Sequence, residues 1–331
     1  MGIRYLNRYL RDNCPQSIRP INMADLSGKR IAVDISIYLY KYETENALLE
    51  NIYMMLSIFN HYNIIPIFIF DGKPPPEKKA LLEKRKEDRE DALEECANLQ
   101  KQLENNDLSE TDRQDLIASI DQLKKQTIQI NKEKVEKVKK LIRAYGATYY
   151  DAPGEADELC ALLVIKKKVW ACLSEDMDMF VYGCSRVLRY FSLMNHTAVL
   201  YYMKGILEEL EMTQTNFKEI CVLSGTDYNI NADGNSSSGI NTCKNLYYTI
   251  KMFKKFKSSE NVKSFYDWLL DKTECISDKE LLDKINTMFD LNNANSKLDV
   301  FKHIKIANGP INNVEIQNIM KEEDFIFYNE K

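Results

Sequence analysis

Three short apolar runs, each closing on acid, set the rhythm of the first half of the chain. They are Arg30-Ile-Ala-Val-Asp34, Ile65-Pro-Ile-Phe-Ile-Phe-Asp71 and Val169-Trp-Ala-Cys-Leu-Ser-Glu-Asp176-Met-Asp178. A helical stretch through Tyr53 to Phe59 separates the first two, and another from about Glu155 to Lys168 precedes the third. Strand-length apolar runs alternating with helix-length segments predict βαβ units, whose strands pair in parallel under a right-handed crossover. Shorter strand candidates are 147–150, 187–191 and 199–202. The expected class is α/β: a mostly parallel central sheet flanked by helices.

Two segments break this rhythm. Between Glu77 and Tyr145 there is neither Gly nor Pro, and 16 basic and 16 acidic side chains cancel. Leu116, Ile120, Leu123 and Ile130 make a heptad-like seam. Ser109-Glu-Thr-Asp112 fits a capping box that restarts a helix after Asn105-Asn106. The pattern predicts two long helices joined near 105–109 and inserted into the α/β domain. Judged on charge alone, such a hairpin is a solvated structural element. After Asp227 a polar loop, Asn229 to Ser238, leads into helical segments bearing Lys244, Lys251, Lys254, Lys255 and Lys257. Asn229, Asn231 and Asp233 before Gly234 imitate a calcium loop, but Ile240 stands where the bidentate Glu belongs. The expected plan is 1–230 with an insertion at 77–145, a short region at 231–260 and a helical extension at 261–331.

Composition narrows the class. With 331 residues, 44% of them apolar, the chain can bury a sizeable core in two domains or in one with an insertion. No apolar run approaches the ~20 residues of a membrane span. Arg4, Arg8 and Arg11 precede no apolar stretch, so no secretory signal is expected. The eight cysteines form no C-x-x-C and only three histidines are present, which argues against a zinc site. The thiols are then expected to stay reduced, in a cytosolic or nuclear compartment. A net charge of −5 is wrong for a nucleic-acid coat protein, but it suits an enzyme whose acids are balanced by bound cations.

Those acids carry the candidate chemistry. Ligands of an open α/β sheet collect at the carboxyl ends of its strands. Three parallel strands ending together would gather Asp34, Asp71, Asp176 and Asp178. One strand-end Asp is ordinarily a turn or helix cap; four in this pattern are far harder to explain that way. Clustered carboxylates raise one another's pKa, and hard cations such as Mg²⁺ or Mn²⁺ relieve the repulsion. Pro153-Gly-Glu155-Ala-Asp157-Glu158 opens the next helix. It reads equally as ordinary helix-start chemistry or as further metal ligands. Asp227 adds a seventh acid. Such a cluster holding two Mg²⁺ is a phosphoryl-transfer device that requires no histidine.

At this point the residues match a known family. Met1-Gly2-Ile3, Val33-Asp34-Ile-Ser36, Phe70-Asp71-Gly-Lys73-Pro74-Pro75, Ala152-Pro-Gly-Glu155-Ala-Asp157, Ser174-Glu-Asp176-Met-Asp178 and Gly225-Thr-Asp227-Tyr228 occur in order. Over about residues 1–257 the sequence resembles the flap-endonuclease family of structure-specific 5′ nucleases. Its Ile-, Asn- and Lys-rich texture and compact length look like a poxvirus member. The resemblance implies two Mg²⁺ ions, with Mn²⁺ as a substitute, held by Asp34, Asp71, Glu155, Asp157, Asp176, Asp178 and Asp227. Position 157 is Asp where cellular relatives usually carry Glu, a shorter reach that suits a water-mediated contact. The insertion would be an arch threaded by a 5′ single strand, with Lys78 and Arg85 on the scissile phosphate. Tyr40 would stack an unpaired base; its other reading is a core-packing Tyr. The helix-hairpin-helix that holds duplex in this family corresponds to Ser238-Gly239-Ile240-Asn241-Thr-Cys-Lys244. Asn241 replaces its second glycine, which weakens the expectation of tight backbone approach and of a bound monovalent cation. Lys251 and Lys254 would add phosphate contacts.

The resemblance makes the expected partner branched, flapped or nicked DNA, with no membrane, and implies roles in replication, repair and recombination. Its implied place is the host cytoplasm for a viral protein and the nucleus otherwise; secretion is not expected. Gln317-Asn-Ile-Met320 begins a sliding-clamp peptide, but Glu323 and Asp324 stand where aromatics are needed, so no clamp binding is expected. No oligomeric state follows from the sequence. Two other readings compete: a ribonuclease of the related acidic-cluster fold, and a non-catalytic scaffold for DNA junctions. The long hairpin disfavours the first, and the intact set of seven acids disfavours the second.

Overall fold

The structure, a computed structural model, describes residues 3–103, 110–228, 245–259, 264–273, 275–276, 278–291, 305–323, 325 and 327 (for 110–112 and 115, the backbone only). Its centre is a seven-stranded sheet: β1 Ile18–Asn22, β2 Arg30–Asp34, β3 Ile65–Phe70, β4 Thr148–Asp151, β5 Ala171–Leu173, β6 Arg186–Ser192 and β7 Thr197–Tyr202. The order across it is β1-β7-β6-β5-β2-β3-β4. Strands β6, β5, β2, β3 and β4 run parallel, while β7 and β1 add an antiparallel edge. The expected α/β class and mostly parallel sheet are therefore borne out. The edge strand β1 and the preceding helix α1 (Leu6–Asn13) were not foreseen. Arg19 and Pro20 interrupt the apolar alternation that would have marked β1.

Alternation along β2 builds two cores. Ile31 and Val33 face one layer, with α2 (Ile35–Thr44), α3 (Leu48–His61) and later helices; Ala32 faces the other. The single helix expected between β2 and β3 is thus two, parted at Asn46, whose φ of 53° an Asn tolerates better than most residues.

The insertion is α4 (Lys79–Leu103) packed on α5 (Glu110–Gln126), followed by α6 (Lys132–Ala144). Ile120 of the seam is buried, as are Ala92 and Cys96 on α4. The second helix ends earlier than a two-helix reading implies. Asn131 starts α6 instead, its side-chain oxygen accepting from the Lys134 N–H at 2.8 Å. Of the proposed capping box at 109–112, Ser109 lies outside the described residues and only the backbone of 110–112 is described.

After β4 come α7 (Ala156–Ile165), α8 (Asp178–Val181), α9 (Met203–Glu209), α10 (Gln214–Ser224), α11 (Leu246–Lys257), α12 (Phe265–Lys272), α13 (Lys279–Met288) and α14 (Asn313–Lys321). The last returns to the sheet domain, where Ile316, Ile319 and Met320 join the layer around α2, α3 and α6. Gly309 donates its N–H to the Gly146 carbonyl at 2.8 Å. A Cβ on Gly146 (φ +71°) would lie 2.5 Å from the Gly309 carbonyl oxygen, so this closure needs glycine. Among the described residues, no helix is long and apolar enough to cross a membrane. Cys14, Cys96, Cys160, Cys172, Cys184 and Cys221 are free and buried. Cys275 is disulfide-bonded, which corrects the expectation of a fully reduced chain.

Candidate metal centre

Strand β2 lies between β3 and β5 and runs parallel to both. All three therefore deliver their carboxyl ends to one edge. Asp34 closes β2, Asp71 follows β3, and Asp176 and Asp178 follow β5. The loop before α7 crosses this edge. Gly72 donates to the Gly154 carbonyl at 2.7 Å, and Ala152 to that of Phe70 at 2.9 Å. A Cβ on Gly72 would sit 1.8 Å from the Ala152 carbonyl oxygen, so only glycine allows the two loops to touch. That contact brings Glu155 and Asp157 against the strand ends.

Hydrogen bonds fix several of the acids. Asp71 accepts the Ala156 N–H at 2.9 Å, capping the start of α7. Ser174 donates its hydroxyl to Asp34 at 2.8 Å and accepts the Asp176 N–H at 3.1 Å. Asp176 accepts the Asp178 N–H at 3.0 Å. Arg189 is buried and ion-paired with Glu175 at 3.4 Å, pinning the turn that carries both acids. The insertion contributes from its base. The Lys78 ammonium donates to Glu155 at 2.7 Å, and Arg85 pairs with Asp227 at 3.2 Å. Tyr228 donates to the other oxygen of Glu155 at 2.7 Å, and its ring lies 4.8 Å from the Lys78 ammonium.

The charges are crowded and dry. Asp34, Asp157, Asp178 and Asp227 are buried. Burial, reinforced by Asp71 and Asp176 and only partly opposed by the Ser174 hydrogen bond, pushes the Asp34 carboxyl up to about 7. Burial also raises Asp157, with Glu155 and Asp176 adding to it and Lys78 opposing. The same cause raises Asp178, helped by Asp176 and Asp227. Burial alone would lower the Lys78 ammonium, but Asp157, Glu155 and Asp227 outweigh it and hold it above its ordinary value. All seven predicted acids thus belong to one electrostatic cluster.

The residues fit a hard cation. The donors are carboxylate oxygens, and Asp178 Oδ1 is buried with no hydrogen-bond partner. Among the described residues, no three acidic, thiol or imidazole groups yet converge as a ready-made ion site.

The other predicted residues stand apart from this cluster. Tyr40 is 51% exposed, so it is not a core residue; its neighbours Tyr38 and Tyr42 are. Lys251 and Lys254 are exposed on α11, whose Met252 and Phe253 face inward. Gly239, Asn241 and Lys244 lie outside the described residues. Sequence reasoning assigned no role to Ser174, Tyr228 or Arg189. The first two stand within quoted motifs, so adjacency to Asp176 and Asp227 was the available signal. Arg189 carried no local signal.

An α/β sheet with a carboxylate cluster at its parallel strand ends, met by the base of a helical insertion, defines the class. Matches to known proteins make it specific. Residues 1–92 match the XPG N-terminal domain and residues 146–227 the XPG I-region. Over 247 residues the chain is 34% identical to flap endonuclease 1-A of Oryza sativa subsp. japonica, covering 69% of this chain and 62% of that protein. It is 32% identical to flap endonuclease 1-B of Physcomitrium patens, covering 69% and 67%. The fold resembles the catalytic core of Rad2 in complex with DNA substrate, with a TM-score of 0.60, 20% identity and coverage of 97% and 95%. It also resembles flap endonuclease-1 from Methanococcus jannaschii, with a TM-score of 0.57, 19% identity and 97% coverage of both chains. The chain belongs to the flap-endonuclease family. Its match with the rice protein spans less than two thirds of that relative's length.

Proposed function

We propose that this protein is a Mg²⁺-dependent, structure-specific 5′ nuclease, cutting flaps endonucleolytically and degrading 5′→3′ from nicks. The observation that carries the reading is the joining of seven acids from five separated segments to two cations, Lys78 and Arg85, at the base of the insertion. DNA is favoured over RNA because the matched relatives are flap endonucleases and a Rad2 core is bound to DNA substrate.

Asp34, Asp71, Glu155, Asp157, Asp176, Asp178 and Asp227 would hold two Mg²⁺ ions, with Mn²⁺ as a substitute. When bound, such ions activate water and offset negative charge at phosphorus. The chain's own part is preparation. Ser174 and the Asp176 carboxylate set the loop geometry, and Arg189 keeps that turn rigid. Lys78 and Arg85, which pair with Glu155 and Asp227, would hold the scissile phosphate instead. Electrostatic groups aimed at developing charge contribute about 3–4 kcal/mol each in comparable sites. Tyr228 would keep Glu155 oriented when Lys78 leaves it.

The remaining assignments are proposals of the same standing. Residues 1–230 form the nuclease domain, with 77–145 as the arch; 231–260 grip duplex, with Gly239, Asn241, Lys244, Lys251 and Lys254 on its backbone; 261–331 extend it. Tyr40 stacks an unpaired base. A poxvirus origin and a cytoplasmic place of action rest on composition and compact length alone. The test is purified protein with end-labelled flap, nicked and hairpin DNA, in Mg²⁺ or in EDTA. Cleavage near the branch in Mg²⁺ only supports the reading; Mg²⁺-independent or absent cleavage opposes it.

A further inference from the structure

At the end of the sheet opposite the carboxylates lies a second concentration of charge, of the other sign. A cavity of about 700 Å³ opens against the amino ends of β2, β5 and β6. Its lining carries Lys29, Arg30, Lys167, Lys168 and Arg186, with the Trp170 indole among them, and no acid. Arg30 opens β2 and Asp34 closes it, so the length of that strand, about 13 Å at ~3.3 Å per residue, separates the two centres.

What sets these cations apart is that they gather in one lining with no acid among them. Acids outnumber bases overall, 50 to 45. Lys78, Arg85, Lys134, Lys137, Lys139 and Arg189 each have a carboxylate partner. Among the described residues, none of the five cations around this cavity makes an ion pair. Lys29, Arg30, Lys167 and Lys168 are exposed. The Arg186 guanidinium instead lies 5.1 Å from the Trp170 ring and 5.6 Å from that of Tyr202. Five like charges around one concavity repel each other and focus a positive potential into it. A string of phosphates relieves that repulsion more fully than one small anion, because the cations come from three separated segments. The Arg–Trp pair adds a flat surface of the kind on which unpaired bases stack.

We propose that this cavity is a second DNA-binding site, taking a single-stranded arm of the substrate through its phosphates, with Trp170 and Arg186 as the stacking platform. The choice of DNA as the anion rests on the nuclease reading; the site itself does not. It lies away from the cleavage centre, so it would hold an arm that has already cleared the junction.

The test is read in EDTA, without cleavage, on the full chain. Fluorescence anisotropy is measured with labelled flaps whose single-stranded arms differ in length, for the wild type and for Lys29→Ala/Lys167→Ala/Lys168→Ala. All three positions are exposed, and thermal melting checks that the fold is kept. The triple variant should bind long-armed flaps about tenfold more weakly. Its salt slope should be shallower by up to about 2, from ~0.7 per single-strand phosphate contact. Short-armed flaps should bind as before. Oligothymidylate should also quench wild-type tryptophan emission, and much less so in Trp170→Phe. Unchanged affinity and slope in the triple variant would overturn the proposal. So would displacement of the strand by micromolar pyrophosphate with no dependence on arm length, which would mark a small-phosphate pocket. A cleaving enzyme whose triple variant binds normally refutes this site alone; a wild type that grips strands here but cuts nothing refutes the nuclease reading alone.

Discussion

Replacing Asp178 by Asn should strengthen the metal-free fold while destroying activity. The side chain is 1% exposed, and its Oδ1 has no hydrogen-bond partner. Burial raises its pKa, and Asp176 and Asp227 add to the rise. A carboxyl with a raised folded-state pKa stabilises the fold fully below its unfolded value, near 4, and loses that contribution as pH rises through the folded value. Asn keeps the shape and never acquires the charge. The unpartnered polar atom remains, but removing a buried charge crowded by Asp176 and Asp227 should be worth on the order of 1–3 kcal/mol. For a chain of this size that is a rise in Tm of about 1–4 °C. The assay is thermal melting in EDTA across pH 4 to 8, for both proteins. The gain should be near zero at pH 4 and grow toward pH 8. Added Mg²⁺ should then stabilise the wild type, by about 2.7 kcal/mol at a hundred times its Kd, raising its Tm, and stabilise the variant less. Cleavage by the variant should be lost. A variant less stable than wild type at pH 8 in EDTA, or one that cleaves normally, would refute the reasoning.

Asp34, at about 7, should make cation binding pH-dependent: apparent Mg²⁺ affinity rises as pH goes from 6 to 8, and a flat profile by titration calorimetry would remove Asp34 from the centre. Lys78→Ala and Arg85→Ala should lower single-turnover cleavage rates about 10²–10³-fold each while changing DNA affinity far less; unchanged rates at saturating enzyme would return both to a solvated hairpin. Lys251→Ala/Lys254→Ala should flatten the log K against log salt slope for duplex by up to about 1.8, at ~0.9 per contact, for all sequences alike. An unchanged slope would mean that α11 does not hold the duplex.

Much of this site was legible because parallel sheets obey a simple rule. A strand that is buried on both faces reads as an apolar run, and its carboxyl end is where chemistry collects. Asp34, Asp71, Asp176 and Asp178 could be gathered from that alone. Glu155 and Asp157 could not, because acids in the first turn of a helix are commonplace; the Gly72 contact with Ala152 is what brings them in. The ion pairs of Lys78 and Arg85 depend on how the insertion leans on the sheet, which helix periodicity does not encode. β1 was hidden for a different reason. As an edge strand it needs no continuous apolar pattern, and only Ile21 along it is buried. The break at Asn131 was in plain sight as a capping residue, but the absence of Gly and Pro argued for one continuous helix.

The claim on which everything else depends is that the seven acids are a cation site. Titration calorimetry with Mn²⁺ at pH 7.5, on wild type and on Asp176→Ala/Asp178→Ala, tests it without DNA and without turnover. Two Mn²⁺ bound per wild-type chain, with loss of at least one in the double variant, is the predicted result; no wild-type binding, or binding undiminished in the variant, would contradict it.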